Sequence, residues 1–183
     1  MIRIVDFSMS LIGLVISFPI LLLVYIIGIF DTGSPLFLQT RVGKNKQPFT
    51  LLKFRTMTIE TESLASHLAP KSSITNLGKI IRKIKIDELP QLWNVLKGDM
   101  SMVGPRPNLF TQKELILERD RLKIYEVLPG ITGLAQIQNI DMSTPKLLAK
   151  TDAKMINTMS VKNYLKYISR TIIGSGSGDA IGN

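Results

Sequence analysis

The order of apolar and polar positions divides the 183-residue chain into two unequal parts. From Ile4 to Phe30 the only ionisable side chains are Asp6 and the phenol of Tyr25. These 27 residues exceed the ~20 needed to cross a bilayer. Pro19 lies mid-segment, where it removes a backbone hydrogen bond and crowds the preceding turn. Ser17 is close enough to bond a freed carbonyl, which makes a kink tolerable in lipid. Two membrane forms therefore stay open: a helix that spans, and a broken helix that enters and returns to the same side. A cleaved signal peptide fits least well, because the basic region ahead of the apolar run is Arg3 alone. Arg41, Lys44, Lys46, Lys53 and Arg55 follow the segment and put its C-terminal side in the cytoplasm by the positive-inside rule.

Beyond Phe30 the pattern is that of a mixed domain, mostly α with a little β. Asp31 to Pro35 is a turn cluster. Leu36 to Gln39 and Phe49 to Phe54 are short apolar runs on either side of a polar Gly43–Pro48 turn, read as a hairpin or as two extended pieces. Thr58 to Ser73 is weakly patterned and suggests a helix and a loop. Leu77 to Ile86 alternates basic and apolar residues, as a membrane-facing helix does. Leu89, Leu92, Trp93 and Leu96 recur at i, i+3, i+4, i+7 and predict a helix over Glu88–Lys97. Asp87 stands at its N-cap and Gly98 at its close. A charged helix is expected from Thr111 to Val127, stopped by Pro129-Gly130. Two amphipathic helices follow over Lys146–Met159 and Val161–Ile173. The expected organisation is a membrane helix (1–30), a catalytic domain (31–173) and a flexible Gly/Ser tail (174–183).

Charge sharpens this picture. The net charge is +9, and residues 1–30 contribute nothing to it, since Arg3 and Asp6 cancel. The domain should therefore meet an anionic partner: lipid headgroups, nucleotide phosphates or nucleic acid. The absence of cysteine removes disulfides, thiolate nucleophiles and Cys-ligated zinc. With His67 the only histidine, histidine metal sites and serine triads have little to work with, and His67 itself reads as a surface residue.

Chemistry concentrates between Arg82 and Pro107. Asp87 and Glu88 are adjacent carboxylates at a helix start, flanked by Arg82, Lys83, Lys85, Lys97 and Arg106. The plain reading is that Asp87 caps and Glu88 complements the dipole. The functional reading uses the same physics. A helix N-terminus keeps Asp87 ionised for nucleophilic attack, and its free N–H groups receive phosphate. Glu88 offers hard oxygen to Mg2+, which commonly bridges one or two carboxylates to substrate phosphates. Arg82 and Arg106 suit two-point phosphate recognition, with Lys53 and Arg55 as further donors. Arg106 is stiffened between Pro105 and Pro107. Pro129 to Gly133 is a second turn with backbone donors.

Asp87 to Pro107 (DELPQLWNVLKGDMSMVGPRP), with Gln39 to Gly43, Lys53 to Met57 and Pro129 to Gln136, resembles the bacterial sugar transferases, the monotopic phosphoglycosyl transferases, over roughly residues 1 to 140. The resemblance implies a re-entrant N-terminal helix, with Ser17 and Pro19 at its kink. It also implies a small cytoplasmic domain whose amphipathic helices lie on the membrane surface. On the same ground Asp87 attacks the β-phosphate of a UDP-sugar, UMP leaves, and polyprenol (undecaprenyl) phosphate takes the sugar-1-phosphate from the aspartyl adduct. Glu88 then helps bind Mg2+. The implied site is the inner leaflet of a bacterial cytoplasmic membrane, and the step is the first membrane step of O-antigen, capsule or glycoprotein synthesis. An N-acetylated amino-deoxyhexose is the expected sugar, with glucose or galactose open, and oligomeric state is open too. Three positions depart from the family pattern: Phe18 rather than Ser precedes Pro19, Leu128 stands where Arg is frequent, and Ile137 to Ile140 replaces an Asn-Gly-Arg stretch. The chain reads as a minimal catalytic form. Two rival readings are a non-catalytic basic membrane module and a polyprenyl-phosphate phosphatase. Nucleic acid is not expected, because no basic–aromatic interleaving offers a base-stacking surface.

Overall fold

The computed structural model describes residues 2–61 and 71–173; His67 and the Gly/Ser tail lie outside them. The apolar run forms one helix, α1 (Ile2–Thr32), with Pro19 inside it. Only 11% of its most apolar 18-residue window is buried, unlike the core helix of a soluble protein. Ser17 Oγ donates to Gly13 O at 2.6 Å. That is back-bonding by one turn, which bends helices. The carbonyl that Pro19 leaves without a donor is that of Val15, so the Ser17 contact is not the one expected from the sequence.

Both halves of α1 pack on the same domain. Near its start, Arg3 donates to Val95 O at 2.6 Å and Leu96 O at 3.0 Å, and Asp6 accepts from Met102 N at 2.8 Å. Near its end, Val24 is buried with Phe54 and Ile81, and Gly28 lies so close to Pro35 that a Cβ would stand 2.7 Å from the ring.

β1 (Leu36–Val42) and β2 (Pro48–Phe54) form the antiparallel hairpin, with Phe37 opposite Lys53 and Val42 opposite Pro48. Pro48 opens its strand, where a missing N–H is harmless. α2 (Asn76–Lys83) is capped by Thr75 Oγ1, which accepts from Gly78 N, and its Ile81 is buried while Ile80 is exposed. α3 (Gln91–Lys97) ends at Gly98 in the left-handed region (φ 99°), as expected.

The face of α3 differs from the prediction. Gln91, Leu92, Asn94 and Val95 are buried, whereas Trp93 is 50% exposed. Asn94 explains the rotation. Its Nδ2 donates to Thr50 O at 2.7 Å and its Oδ1 accepts from Leu52 N at 3.0 Å. A polar side chain thus pairs the open edge of β2, which would otherwise be unsatisfied under the helix.

The Thr111–Val127 stretch is also revised: α4 (Lys113–Arg121) stops early, Lys123 turns left-handed (φ 57°), and a 3-10 turn follows at Ile124–Glu126. Ser101–Val103, for which no element was expected, and Gly130–Thr132, read as part of a turn, form short strands, β3 and β4, paired in parallel. Their backbones touch: a Cβ on Gly130 would lie 1.9 Å from Gly104 N. α5 (Leu134–Ile137), α6 (Pro145–Asn157) and α7 (Val161–Ile172) complete the fold, the last two as predicted. α7 and β3 share a core with Val5 and Met9 of α1.

Candidate active site

The helical path to α3 starts at the 3-10 turn Ile86–Glu88, preceded by Lys85 in the left-handed region (φ 58°, ψ 20°). Asp87 is therefore inside the first turn and not its N-cap. It stays among the N–H groups that favour a carboxylate, because Leu89 and Pro90 continue in right-handed helical geometry into α3. Lys85 is neither glycine nor asparagine, so its conformation costs on the order of 1–3 kcal/mol and must be held by its surroundings. The two carboxylates are close to fully covered, Asp87 at 3% and Glu88 at 9% exposure.

Arg106 reaches the same place from the 104–107 loop, and its Nη2 lies 2.6 Å from Glu88 Oε1. Arg82, on the last turn of α2, donates from Nη1 to Thr56 Oγ1 at 3.1 Å and shares a wall with Glu88. Glu88 thus pairs directly with Arg106 and lines one groove with Arg82, and Asp87 is the adjacent residue. Lys53 and Arg55 stand over the Phe37 ring, 5.5 and 5.3 Å from its centroid. Arg55 also donates from Nε to Ser34 O at 2.9 Å, which ties it to the exit of α1.

The 104–107 loop is clamped from two sides by residues that the sequence did not assign to the site. Arg41, 5% exposed, donates to Pro107 O at 3.1 Å. Arg119, 1% exposed, donates from Nη1 to Arg106 O at 2.8 Å and Asn108 Oδ1 at 3.0 Å, and from Nη2 to Asp152 Oδ2 at 2.7 Å. Burial pushes the Asp152 carboxyl above its ordinary range against the pull of Arg119. Its Oδ1 accepts no hydrogen bond among the described residues. The Tyr125 hydroxyl, also raised by burial, donates to the same Asn108 Oδ1 at 3.0 Å. In sequence, Arg119 is one charge among several on a charged helix, and no local signal separates it from its solvated neighbours. Asp6 was visible as a lone acid in an apolar run, and its partners Ser101 and Tyr164 come from 95 and 158 residues away.

The sequence model of the bacterial sugar transferases matches residues 1–176. The chain belongs to this family. Among relatives, it is 39% identical over 171 residues to the uncharacterized sugar transferase EpsL of Bacillus subtilis, covering 93% of this chain and 84% of that one. It is 38% identical over 164 residues to the UDP-glucose:undecaprenyl-phosphate glucose-1-phosphate transferase of Caulobacter vibrioides (84% and 61%). With the UDP-N-acetylgalactosamine-undecaprenyl-phosphate N-acetylgalactosaminephosphotransferase of Aeromonas hydrophila it shares 39% over 142 residues (71% and 33%). The chain thus spans most of one relative and a third to three fifths of the other two. The polar centre here is built on the Asp87–Pro107 stretch; the latter two relatives are named for different sugars, glucose and N-acetylgalactosamine.

Proposed function

We propose that this sugar transferase moves a sugar-1-phosphate from a UDP-sugar to polyprenyl phosphate through an adduct on Asp87. The observation that carries the reading is the Arg106–Glu88 pair beside Asp87 in the first turn of a helix, with Arg82 lining the same groove as Glu88. An Asp87 oxygen attacks the β-phosphorus, a P–O bond forms, and the bond from that phosphorus to UMP breaks. A phosphate oxygen of the acceptor then attacks the same phosphorus. The Asp87 oxygen leaves as carboxylate, and the diphosphate-linked sugar remains on the lipid. Arg82 and Arg106 neutralise the phosphate oxygens in both steps. Lys53 and Arg55 are assigned to the outer edge of the donor site.

The donor set fits a divalent cation: Asp87 and Glu88 supply hard carboxylate oxygen at one turn, and substrate phosphates and water complete a shell such as Mg2+ prefers. When bound, Mg2+ would neutralise charge on the diphosphate; Glu88 is the residue assigned to hold it. The packing of both halves of α1 on one domain supports the re-entrant reading, with N- and C-terminal ends on the cytoplasmic side of the inner membrane. An N-acetylated amino-deoxyhexose is the proposed sugar, and synthesis of an O-antigen, capsule or glycoprotein glycan the proposed setting.

The test is UMP release from a panel of UDP-sugars with undecaprenyl phosphate in detergent. Donor alone should leave a sugar-phosphate mass on the peptide holding Asp87, and Asp87→Asn should fold and carry none. Release of UMP by Asp87→Asn at the wild-type rate would remove Asp87 as nucleophile. Inorganic phosphate released from undecaprenyl phosphate in the absence of any UDP-sugar would favour the phosphatase reading instead.

A further inference from the structure

A groove of about 810 Å3 runs from Glu88 and Arg82 along α1, α3 and α7. Its two ends differ in chemistry. Arg82, Lys83, Lys85 and Glu88 line the end at the candidate site, and the rest is walled chiefly by Leu92, Met102, Ile131 and Ile168. The far rim is apolar and open to solvent: Ile172 is 79% exposed, and Ile84 beside the basic end is 57% exposed. Such a volume encloses a drug-sized ligand, roughly 300–1,000 Å3. Its lining is that of a molecule with an anionic head and a hydrocarbon tail.

We infer that this groove seats the phosphate and the first isoprene units of the acceptor lipid, with α7 as the wall that reads the chain. The inference rests on the function proposed above. The charge order decides the direction: three cations at the end next to Asp87 draw the acceptor phosphate to the reacting phosphorus, and the tail leaves past Ile172. A nucleotide fits the groove poorly, because its polar ribose and base would meet Met102, Ile131 and Ile168 with few polar partners. The length of chain in contact is limited by the volume, so distal units remain in the bilayer with the exposed face of α1.

The test uses the full chain in detergent micelles with undecaprenyl phosphate. Ile172→Glu puts a charge in the path of the tail at a position exposed enough to leave the fold intact, and Ile131→Trp fills the groove from the β4 side. Both should raise the KM for undecaprenyl phosphate at least tenfold while the KM for the UDP-sugar moves less than twofold. Ile173→Glu is the control: Ile173 is 83% exposed and outside the groove, so it carries the same charge to the same surface and should change the acceptor KM less than twofold. Equal effects of Ile172→Glu and Ile173→Glu would overturn the groove in favour of general repulsion from the micelle. A second measurement needs no turnover. A polyprenyl phosphate with a photoreactive group in its second isoprene unit should label peptides containing Met102 or Ile168–Ile172, and undecaprenyl phosphate should compete. Label confined to other peptides would overturn the assignment. Absence of UMP release by the wild type with every donor would instead sink the proposed function, leaving the labelling result to judge the groove by itself.

Discussion

Arg106 Nη2 stands 2.6 Å from Glu88 Oε1, which binds the 104–107 loop to the turn that carries Asp87. The pair is mostly covered, with side-chain exposures of 22% and 11%, so it is less screened than a surface bridge. A guanidinium offers a fixed fork, whereas an ammonium offers a point charge. Arg106→Ala should lower kcat/KM for UMP release by about 100-fold, the scale of losing one donor to developing charge. Arg106→Lys should recover only part of it. Full activity in Arg106→Lys would mean that charge alone, without fork geometry, is what the site needs.

Glu88→Gln keeps the size of the side chain and removes its charge. If Glu88 holds the cation, this variant needs more Mg2+ for half-maximal UMP release, and its maximal rate falls. A Mg2+ titration that superimposes on the wild-type curve removes Glu88 from the metal site.

Asp6 and Tyr164 join the first turns of α1 to α7. Tyr164 Oη donates to Asp6 Oδ1, which also accepts from Ser101 Oγ at 3.1 Å and Met102 N at 2.8 Å. Burial first, and donation to the carboxylate second, raise the Tyr164 hydroxyl well above its ordinary 10.0. The sign follows from proton binding. Between pH 10.0 and the raised native value, the folded protein keeps a proton that the unfolded chain loses. This stability is complete below pH 10.0 and declines as pH rises through the folded value. Tyr164→Phe should cost about 1–3 kcal/mol near neutrality by leaving Asp6 short of a donor. It should also flatten the alkaline decline of Tm in detergent, measured from pH 9 to 11 (roughly the span around an ordinary tyrosine). An unchanged alkaline slope would show that Tyr164 is not the group responsible.

What the sequence disclosed follows from how local each signal is. The two extended runs were legible because a polar turn with Gly43 and Pro48 lies between them, and the pairing left open is antiparallel, Gly43 N closing the turn on Gln47 O at 2.8 Å. α6 and α7 were legible from their 3.6-residue period. β3 and β4 were not, since three-residue strands flanked by Gly and Pro show no alternation and pair across 29 residues of chain (Ser101 with Gly130). The break after Arg121 was hidden for a related reason: Lys123 adopts a positive φ that neither Gly nor Asn announces. In α3 the apolar period pointed at Trp93, yet the decisive residue was polar, because Asn94 satisfies a strand edge. The carboxylates and Arg106 stood out in sequence because they are consecutive or held between prolines. Arg41 and Arg119, which hold the loop from behind, take their meaning from carbonyls 66 and 13 residues away.

Arg119 and Asp152 give the strongest stability prediction. Their side chains are 1% and 0% exposed, and Arg119 donates from both Nε (3.1 Å) and Nη2 (2.7 Å) to one carboxylate oxygen. Arg119→Met removes the paired countercharge from a buried acid and releases Arg106 O and Asn108 Oδ1. Breaking one side of such a pair costs about 3–5 kcal/mol. Asp152→Asn should cost less, because burial already pushes Asp152 toward its neutral form and Arg119 keeps its bonds to the 104–108 segment. Arg119→Met with Asp152→Leu should be less damaging than the sum of the single changes, since no lone charge is left behind. The double-mutant cycle is read from thermal or urea unfolding in detergent. Activity separates the two roles of Arg119: with the loop released, a shift of about 1 Å at Arg106 is enough for a ~100-fold loss. Asp152→Asn, in which the loop bonds remain, should retain far more UMP release than Arg119→Met at equal folded fraction. Equal activities in the two variants would show that Arg119 stabilises the fold without positioning Arg106.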